Sequence, residues 1–211
     1  MTARGMTLIE TMLAIGMTAL VATGISGMMH VLSNDVAMQH EVRTGVVRAA
    51  LVQARLSAYV GRSRCLLDLE SERAVLWLQD SDGDDAVHAD EVRWLHWSDA
   101  NGDAVIQWIQ PLDGADLPTY DDPASIDWWA QYTALATRSN VQAGTLALAT
   151  ALASFEFRET LDTTPNQRRR DAMQRHRVEV DLGMTLGTEL RHHRVGESIR
   201  LHRQPSGESA P

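Results

Sequence analysis

The residues best suited to chemistry lie in one acidic segment, residues 80–91, which reads Asp-Ser-Asp-Gly-Asp-Asp-Ala-Val-His-Ala-Asp-Glu. A calcium loop of the EF-hand type takes oxygen ligands from positions 1, 3, 5, 7 and 12. In this segment those positions hold Asp80, Asp82, Asp84, the carbonyl group of Ala86, and Glu91. Crowded carboxylates repel one another unless a cation lies between them. The sequence therefore predicts a calcium site in this segment.

A simpler alternative is an acidic turn that faces solvent and joins two strands. Position 6 of a calcium loop is normally glycine, which makes the sharp turn, but here it is Asp85 and the glycine is Gly83. The flanking residues also have the composition of strands rather than helices. Both interpretations stay open at this point.

Catalytic patterns are missing from the sequence, so we expect no enzyme. It has no nucleophile elbow, phosphate loop or redox pair of cysteines. Its histidines, among them His88, His96 and the pair at 192–193, lack the spacing of metal ligands. The one cysteine, Cys65, is predicted to be a buried apolar residue at the start of a strand. The arginine run at 168–170 has no interleaved aromatic residues, which argues against nucleic-acid binding.

The first thirty residues carry a second pattern. A short leader with one charged side chain, Arg4, precedes a lone acid, Glu10, and residues 11–32 then contain no Asp, Glu, Lys or Arg. This run is close to the roughly 20 residues with which a helix crosses a bilayer. The sequence therefore predicts a transmembrane helix at about 11–32. A carboxylate beside such a helix is costly and indicates a function.

Residues 4–11, Arg-Gly-Met-Thr-Leu-Ile-Glu-Thr, followed by the apolar helix, resemble the class III signal of type IV pilins and pseudopilins. The resemblance implies that a prepilin peptidase cleaves after Gly5 and methylates the new N-terminus at Met6. It also places Glu10 at the invariant acid position of the family. Phenylalanine usually follows the cleavage point, so Met6 departs from the pattern. The other partners that the resemblance implies are further pilins or pseudopilins, an assembly platform and a secretin.

Elementary electrostatics suggests what Glu10 would do in such a protein. After cleavage, the amine of Met6 in one subunit and the Glu10 carboxylate of its neighbour could pair in a dry helix bundle and set the register of assembly. Alternatively, Glu10 complements the positive N-terminal end of its own helix. A third interpretation is an ordinary secretory signal cleaved near residues 22–24, which would leave a calcium-binding envelope or secreted domain.

The pattern of apolar residues predicts one long helix from Met6 to Val60, about 80 Å at 1.5 Å per residue. The first proline is Pro111, so nothing interrupts this helix. Its second half carries apolar residues at helical spacing that we expect to pack on a sheet. These residues are Val36, Val42, Val46, Val47, Ala50, Leu51 and Ala54.

Short segments rich in Val, Ile, Leu and Trp, separated by Asp, Asn and Gly, predict an antiparallel sheet. They lie at 65–69, 74–79, 92–97, 105–109, 154–159, 177–185 and 198–203. Asn101-Gly102 predicts a hairpin with a type I′ turn, because that turn needs positive φ at both central residues. Residues 126–137 predict a short helix.

Charge is unevenly distributed along the chain. Residues 65–127 contain 16 acids against two arginines, whereas residues 154–203 contain 10 arginines against 8 acids. Such asymmetry suits head-to-tail contact between subunits, although an acidic face exposed to solvent explains it equally well.

Together these patterns predict an α+β fold in which a long N-terminal transmembrane helix packs on an antiparallel β-sheet. The expected parts are a leader at 1–5, a helix at 6–62, a periplasmic β-rich domain at 63–203 and a disordered tail at 204–211. We expect a single-pass protein of the inner membrane. Its expected function is that of a minor pilin or pseudopilin, of the J or W type, which initiates or caps a filament.

Overall fold

A computed structural model describes residues 8–81, 83–98, 100–112, 114–158, 164–186 and 189–205. The chain divides into two compact units, Met1–Thr44 and Gly45–Pro211. Helix α1, Leu8–Val60, belongs to both units: its first part forms unit 1 and its last 16 residues, 45–60, belong to unit 2.

Unit 1 is the N-terminal part of α1. Its large apolar side chains from Leu8 to Leu32 are exposed, with 55–78% of their surface accessible. No proline interrupts this part of the helix, and leucine, methionine and alanine, which are good helix formers, recur along it. The unit therefore presents an apolar helix with no partner of its own to cover it.

The predicted transmembrane helix at about 11–32 is not supported. Among the residues that the structure describes, no helix is both long enough and apolar enough to cross a bilayer. A run without charges is not uniformly apolar: glycines, hydroxyl groups and a histidine, such as Gly16, Thr18, Ser26 and His30, are interspersed in it. The expected fold class is therefore wrong in its transmembrane helix, and the expected single-pass location in the inner membrane is wrong with it.

Unit 2 contains the sheets. Its strands are β1 Cys65–Leu69, β2 Arg73–Trp77, β3 Val87–His88, β4 Val92–Ser98, β5 Asp103–Pro111, β6 Thr119–Tyr120, β7 Val141–Ala149, β8 Ser154–Phe157, β9 Arg177–Leu186 and β10 Glu189–Ser198. Helix α2 is Trp128–Ala136 and helix α3 is Pro165–Met173. Single 3₁₀ turns lie at Ala89–Glu91 and Pro123–Ser125.

The strands form antiparallel sheets, so the chain is α+β. The larger sheet has the order β1-β2-β4-β5-β7, the second has the order β10-β9-β8, and β3 pairs with β6. Antiparallel strands need only short connections, which suits the turn-rich sequence between them.

One hydrophobic core lies between the end of α1 and the two larger sheets. Val52, Leu56 and Val60, spaced by four residues, are almost fully buried on one face of the helix. Around them pack alternate residues of the strands, including Leu76, Leu95, Ile106, Phe155, Val180 and Leu182.

A second core covers the opposite face of the five-stranded sheet. Trp77 and Trp94 of the sheet pack there with Trp128 and Leu135 of α2. The indole N–H of Trp94 donates to the carbonyl oxygen of Trp128 at 2.9 Å. Because both faces of the sheet are covered, all five residues of β1 are buried, which explains its nearly continuous apolar sequence.

The buried face of α1 differs from the predicted one. Val46, Val47 and Leu51, expected to pack on the sheet, are 54%, 61% and 48% exposed. The helix is rotated so that Val52 and Leu56 face the core instead. The exposed residues form an apolar stripe on unit 2, which we call the α1 stripe: Val46, Val47, Ala50, Leu51 and Ala54.

Two polar side chains explain this rotation. The amide of Gln53 donates to the carbonyl oxygen of Gly196 at 2.8 Å and accepts from its N–H at 3.0 Å, as a neighbouring strand would. Arg55 Nη1 donates to the carbonyl oxygens of Ala147 and Leu148, both at 2.9 Å. Carbonyl groups shielded from water need hydrogen-bond donors. The free energy of these hydrogen bonds outweighs that of burying a few more valine side chains.

The hairpin between β4 and β5 is confirmed, but its predicted turn type is wrong. Four residues connect Ser98 to Asp103, and of the pair Asn101-Gly102 only the glycine has positive φ, at 64°. The N–H of Gly102 donates to the carbonyl oxygen of Ser98 at 2.8 Å. A Cβ at Gly102 would also lie 2.5 Å from the carbonyl oxygen of Leu152, so close packing requires glycine here as well.

Five helices and strands were not predicted: the short strands β3 and β6, and β7, α3 and β10. The strand predicted at 198–203 is wrong, because β10 ends at Ser198 and β9 pairs with β10 along ten residues. The last described residues still contact the sheet edge, where the N–H of Arg203 donates to the carbonyl oxygen of Arg64 at 2.9 Å.

Candidate functional site

The processing residues of the N-terminal signal lie at the limit of the described chain. Gly5 and Met6 fall outside the described residues, and Glu10 is placed only through its backbone, in the first turn of α1. At that position a carboxylate complements the partial positive charge of the helix N-terminus. The predicted cleavage at Gly5, methylation of Met6 and assembly role of Glu10 all stay predictions.

The exposed apolar part of α1 from Leu8 to Leu32 is a candidate interaction surface of unit 1. Its exposed side chains include Leu8, Ile9, Met12, Leu13 and Leu20. A Cβ added at Gly16, Gly24 or Gly27 would meet no atom within 4 Å. Small residues allow another helix to approach closely, and large apolar residues beside them supply the contact area. This surface is therefore suited to packing against other helices.

Glu91 anchors the acidic loop at its C-terminal end. Its side chain is buried, accepts the indole N–H of Trp77 at 2.9 Å and the hydroxyl of Ser81 at 2.8 Å, and also accepts the backbone N–H of Ser81. The N–H of His88 lies 3.4 Å from the same carboxylate. Donors from both parts of the loop converge on this one carboxylate, so Glu91 holds the two ends of the loop together.

Three other acids of the loop lie close to basic side chains of the protein itself. Asp80 lies 3.8 Å from the Arg64 guanidinium, and Asp84 lies 3.0 Å from His88 Nε2. Asp85 pairs with Arg203. The repulsion that favoured a calcium ion in the sequence is therefore partly relieved by side chains from distant parts of the chain.

The backbone of the loop does contain the sharp turn that a calcium loop needs. Asp85, at position 6, has a φ of 61° even though it is not glycine, and Gly83 has a φ of 81°. Asp80 accepts the N–H of Gly83 at 2.6 Å, and Asp84 accepts the N–H of Ala86 at 2.8 Å.

The calcium site itself stays a prediction. Among the described residues no three His, Cys, Asp or Glu side chains form a group that would hold a metal ion. Asp82, one of the predicted ligands, lies outside them. Of the other four, the structure brings Asp80, Asp84 and Ala86 into one turn, while Glu91 faces Trp77 and Ser81 at its base.

Replacing Glu91 with glutamine should destabilise the protein by about 1.5–3 kcal/mol, because the amide loses charge-assisted hydrogen bonds to Trp77 and Ser81. For a chain of this length the melting temperature should fall by about 3–12 °C. Thermal unfolding in the presence of EDTA measures this loss without calcium. The neighbouring variant Asp90→Asn, whose carboxylate makes none of these bonds, is the control. A loss seen only with calcium present would instead make Glu91 primarily a metal ligand.

A buried ion network lies between β1 and α3. Asp68 of β1 accepts from Arg168 Nε at 2.8 Å and Nη2 at 3.1 Å, and from Arg169 Nε at 3.4 Å. Arg168 also reaches Glu70, which pairs in turn with Arg73. Hydrogen bonding to Asp68 is the main cause that raises the pKa of Arg168. The arginine run at 168–170 thus lies in helix α3, which salt bridges hold against the sheet.

Cys65 begins β1 and is fully buried, as the sequence predicted. Burial raises the pKa of its thiol far above the usual range, so the thiol stays protonated and unreactive at neutral pH. His96 contacts Trp129 edge to face at 5.7 Å, and His88 lies 3.1 Å from the hydroxyl of Thr119. These histidines take part in local packing and hydrogen bonding.

Comparison with known proteins gave no relative: no protein family, curated protein or solved structure matches this chain.

Proposed function

We propose that this protein is a pilin-class filament subunit, a minor pilin or pseudopilin, that assembles through the apolar N-terminal part of α1. The observation that carries the proposal is the exposure of every described large apolar side chain from Leu8 to Leu32, in a part of α1 whose residues 11–32 contain no Asp, Glu, Lys or Arg. An apolar surface of this extent marks an interaction site.

Packing of these helices against one another would cover that surface. Each buried leucine, isoleucine or methionine contributes about 1.5–3 kcal/mol relative to its exposed state, so even a partial bundle of such helices is strongly favoured. The glycines at 16, 24 and 27 would let neighbouring helices approach closely, since open space surrounds them.

Processing of the leader would complete the assembly site. Cleavage after Gly5 frees an amine at Met6, and within a helix bundle this amine is a suitable partner for the Glu10 carboxylate of an adjacent subunit. Opposite charges in a dry environment attract strongly, whereas an unpaired one is costly. The pairing would therefore fix the axial register of the subunits.

Unit 2 would form the head of the subunit. Its first core includes Val52, Leu56 and Val60 from the C-terminal end of α1. The proposed partners are a prepilin peptidase, other pilins or pseudopilins, and the platform that extends the filament. As a minor subunit the protein would initiate or cap the filament, so its role is mechanical.

The mature N-terminus tests this proposal most directly. The full chain is produced together with a prepilin peptidase, purified, and its N-terminal peptide is identified by mass spectrometry. We expect a chain that begins at Met6 and carries one N-methyl group. Omission of the peptidase is the first control, and Gly5→Leu, which removes the small residue at the cleavage point, is the second; both should leave Met1 in place.

Two results would contradict the proposal. A chain that begins near Ser26 would indicate an ordinary secretory signal and would leave the acidic loop as the main functional lead. An unprocessed chain in the presence of an active peptidase, shown to be active on a known prepilin in the same sample, would remove the pilin pathway altogether.

A further inference from the structure

A groove on unit 2 lies between α1 and the edge strand β7, at the surface of the first hydrophobic core. Its cavity measures about 450 Å³. The apolar residues that line it are Leu51, Val52, Leu146, Leu148, Leu152 and Met184. The α1 stripe continues from it, and Leu146 beside it is 41% exposed. The groove therefore offers an apolar site with an apolar rim.

The charge of the groove is entirely positive. Its only charged lining residues are Arg48 and Arg55. Arg55 is already bound to the carbonyl oxygens of Ala147 and Leu148. Arg48 is exposed, and within the described chain it makes no hydrogen bond or ion pair. It is thus free to pair with a carboxylate of an occupant.

The edge strand limits how an occupant can bind. β7 is the last strand of its sheet and contains no charged residue, which leaves its outer edge open to a partner. At the groove, however, Leu148 forms a bulge, since Ala149 pairs with Ala104 and Ala147 with Val105. The bulge and the Arg55 hydrogen bonds block the addition of a strand there. The occupant must therefore insert a side chain.

Another part of unit 2 presents an exposed apolar side chain with an acid close to it in the sequence. Among the described residues from 65 to 127, Leu112 is the only exposed large hydrophobic residue, at 39%. It lies in a tight turn after β5, where the N–H of Ala115 donates to its carbonyl oxygen at 3.0 Å. Asp116 follows in the same turn and is exposed. The apolar side chain suits the apolar lining of the groove, and the carboxylate suits Arg48.

We propose that the groove binds the Leu112 turn of a second copy of the chain, with Leu112 inserted between α1 and β7 and Asp116 paired with Arg48. Groove and turn are different surfaces, so the contact is head-to-tail and each copy can bind two others. Depending on the rotation between copies, such a contact closes into a ring or continues into an open assembly. The inference rests on the proposed function as a filament subunit and adds to it a specific contact between heads.

Cross-linking tests the contact in the full-length chain. Thr150→Cys places a thiol at the rim of the groove, and Ala115→Cys places one in the turn without removing Leu112 or Asp116. The native thiol of Cys65 is buried and does not react. Two variants with different tags are mixed and treated with a short bismaleimide. We expect a covalent pair of the two variants and none from either variant alone.

Charge reversal tests the ionic part. Arg48→Glu, introduced into the Thr150→Cys chain, should lower the yield of the covalent pair at least about fivefold, the factor that corresponds to roughly 1 kcal/mol. Combining it with Asp116→Arg in the Ala115→Cys chain should restore the yield. Arg62→Glu, at an exposed arginine outside the groove, is the matched control and should leave the yield unchanged.

Several outcomes would overturn the contact. These are no covalent pair from folded chains, self-linking of the Thr150→Cys variant through a symmetric interface, or an equal effect of Arg62→Glu. The N-terminus of the same samples is read by mass spectrometry, which separates the two proposals. A start at Met6 without the covalent pair refutes only the head contact, whereas the pair without that start refutes the pilin function and keeps the contact between copies.

Discussion

Replacing Glu10 with leucine should abolish assembly of the processed protein while cleavage after Gly5 continues. In the proposed bundle the Glu10 carboxylate pairs with the amine of Met6 on a neighbouring subunit. Removing one partner of a buried pair leaves the other charge unpaired, at a cost of about 3–5 kcal/mol. We therefore expect the fraction of protein in filaments to fall by a factor of at least about 100.

The measurement separates assembly from processing. Sedimentation of filaments reports assembly, and mass spectrometry of the N-terminus reports cleavage at Met6. Thr11→Leu, a change of the neighbouring residue to leucine without loss of charge, is the matched control and should assemble normally. Glu10→Asp keeps the charge on a shorter side chain and should retain part of the assembly.

Normal assembly of Glu10→Leu would refute the pairing role and leave the simpler explanation, in which Glu10 complements the N-terminus of its own helix. That interaction is worth only about 0.3–1 kcal/mol on an exposed helix. Its loss would lower the stability of the first turn slightly and leave filaments intact. The two explanations thus differ by more than tenfold in their expected effect.

The sequence predicted strands β1, β2, β4 and β5 well. β1 begins and ends where its apolar run does, and the hairpin of β4 and β5 follows from two strand-like segments around Asn101-Gly102. In such segments the period of the apolar residues and the turn residues agree, and both are local. The type of the turn was not predictable, because the close approach of Leu152 to Gly102 is a tertiary contact.

Two of the elements that the sequence did not reveal, β7 and α3, depend on distant contacts. Four of the nine residues of β7 are alanine or glycine, which have little strand signal on their own, and its pairing with β5 supplies the stability. The helix α3 is rich in arginine and polar residues, and its burial depends on Asp68, a hundred residues earlier in the chain.

Which face of α1 is buried could not be predicted from the sequence either. The spacing of valines and leucines predicted a buried face, but the helix carries apolar residues on more than one side. Gln53 and Arg55 decide which side is buried, through hydrogen bonds to Gly196 and to Ala147 and Leu148. A single sequence gives no indication that these two polar residues face a sheet.

The candidate sites were predictable to different degrees. The leader motif, the acid at position 10 and the acidic loop are patterns within one short segment each. The compensating cations of the loop, Arg64 and Arg203, come from outside it, and so the argument from repulsion overstated the need for a metal ion. The groove at β7 follows from the rotation of α1 and could not have been found beforehand.

Replacing Asp68 with asparagine should be among the most destabilising substitutions in unit 2. Asp68 is 2% exposed and accepts hydrogen bonds from Arg168, Arg169 and the backbone N–H of Leu69. Asparagine has nearly the same shape but no charge, and its NH₂ group would face a guanidinium. Arg169 would then lie buried without a counterion and Arg168 would keep only Glu70, which costs about 3–5 kcal/mol.

Thermal and urea unfolding measure this loss. In a chain of this length each kcal/mol of lost stability lowers the melting temperature by about 2–4 °C, so the melting temperature should fall by about 6–20 °C. The matched control is Glu189→Gln, which removes an exposed partner of Arg191 and should change the stability by at most about 1 kcal/mol. A loss below about 1 kcal/mol for Asp68→Asn would mean that α3 is held by its apolar contacts rather than by the ion network.

The pH dependence of this network follows from the raised pKa of Arg168. A cation whose pKa is higher in the folded state stabilises the protein below the unfolded pKa, and the contribution is lost only as the pH rises through the folded value. Since that range lies above the already high pKa of an ordinary arginine, Arg168 stays charged throughout the neutral and alkaline range in which proteins are studied. The difference between wild type and Asp68→Asn should therefore not decline between neutral and moderately alkaline pH, and a decline there would show that a group other than Arg168 controls the docking of α3.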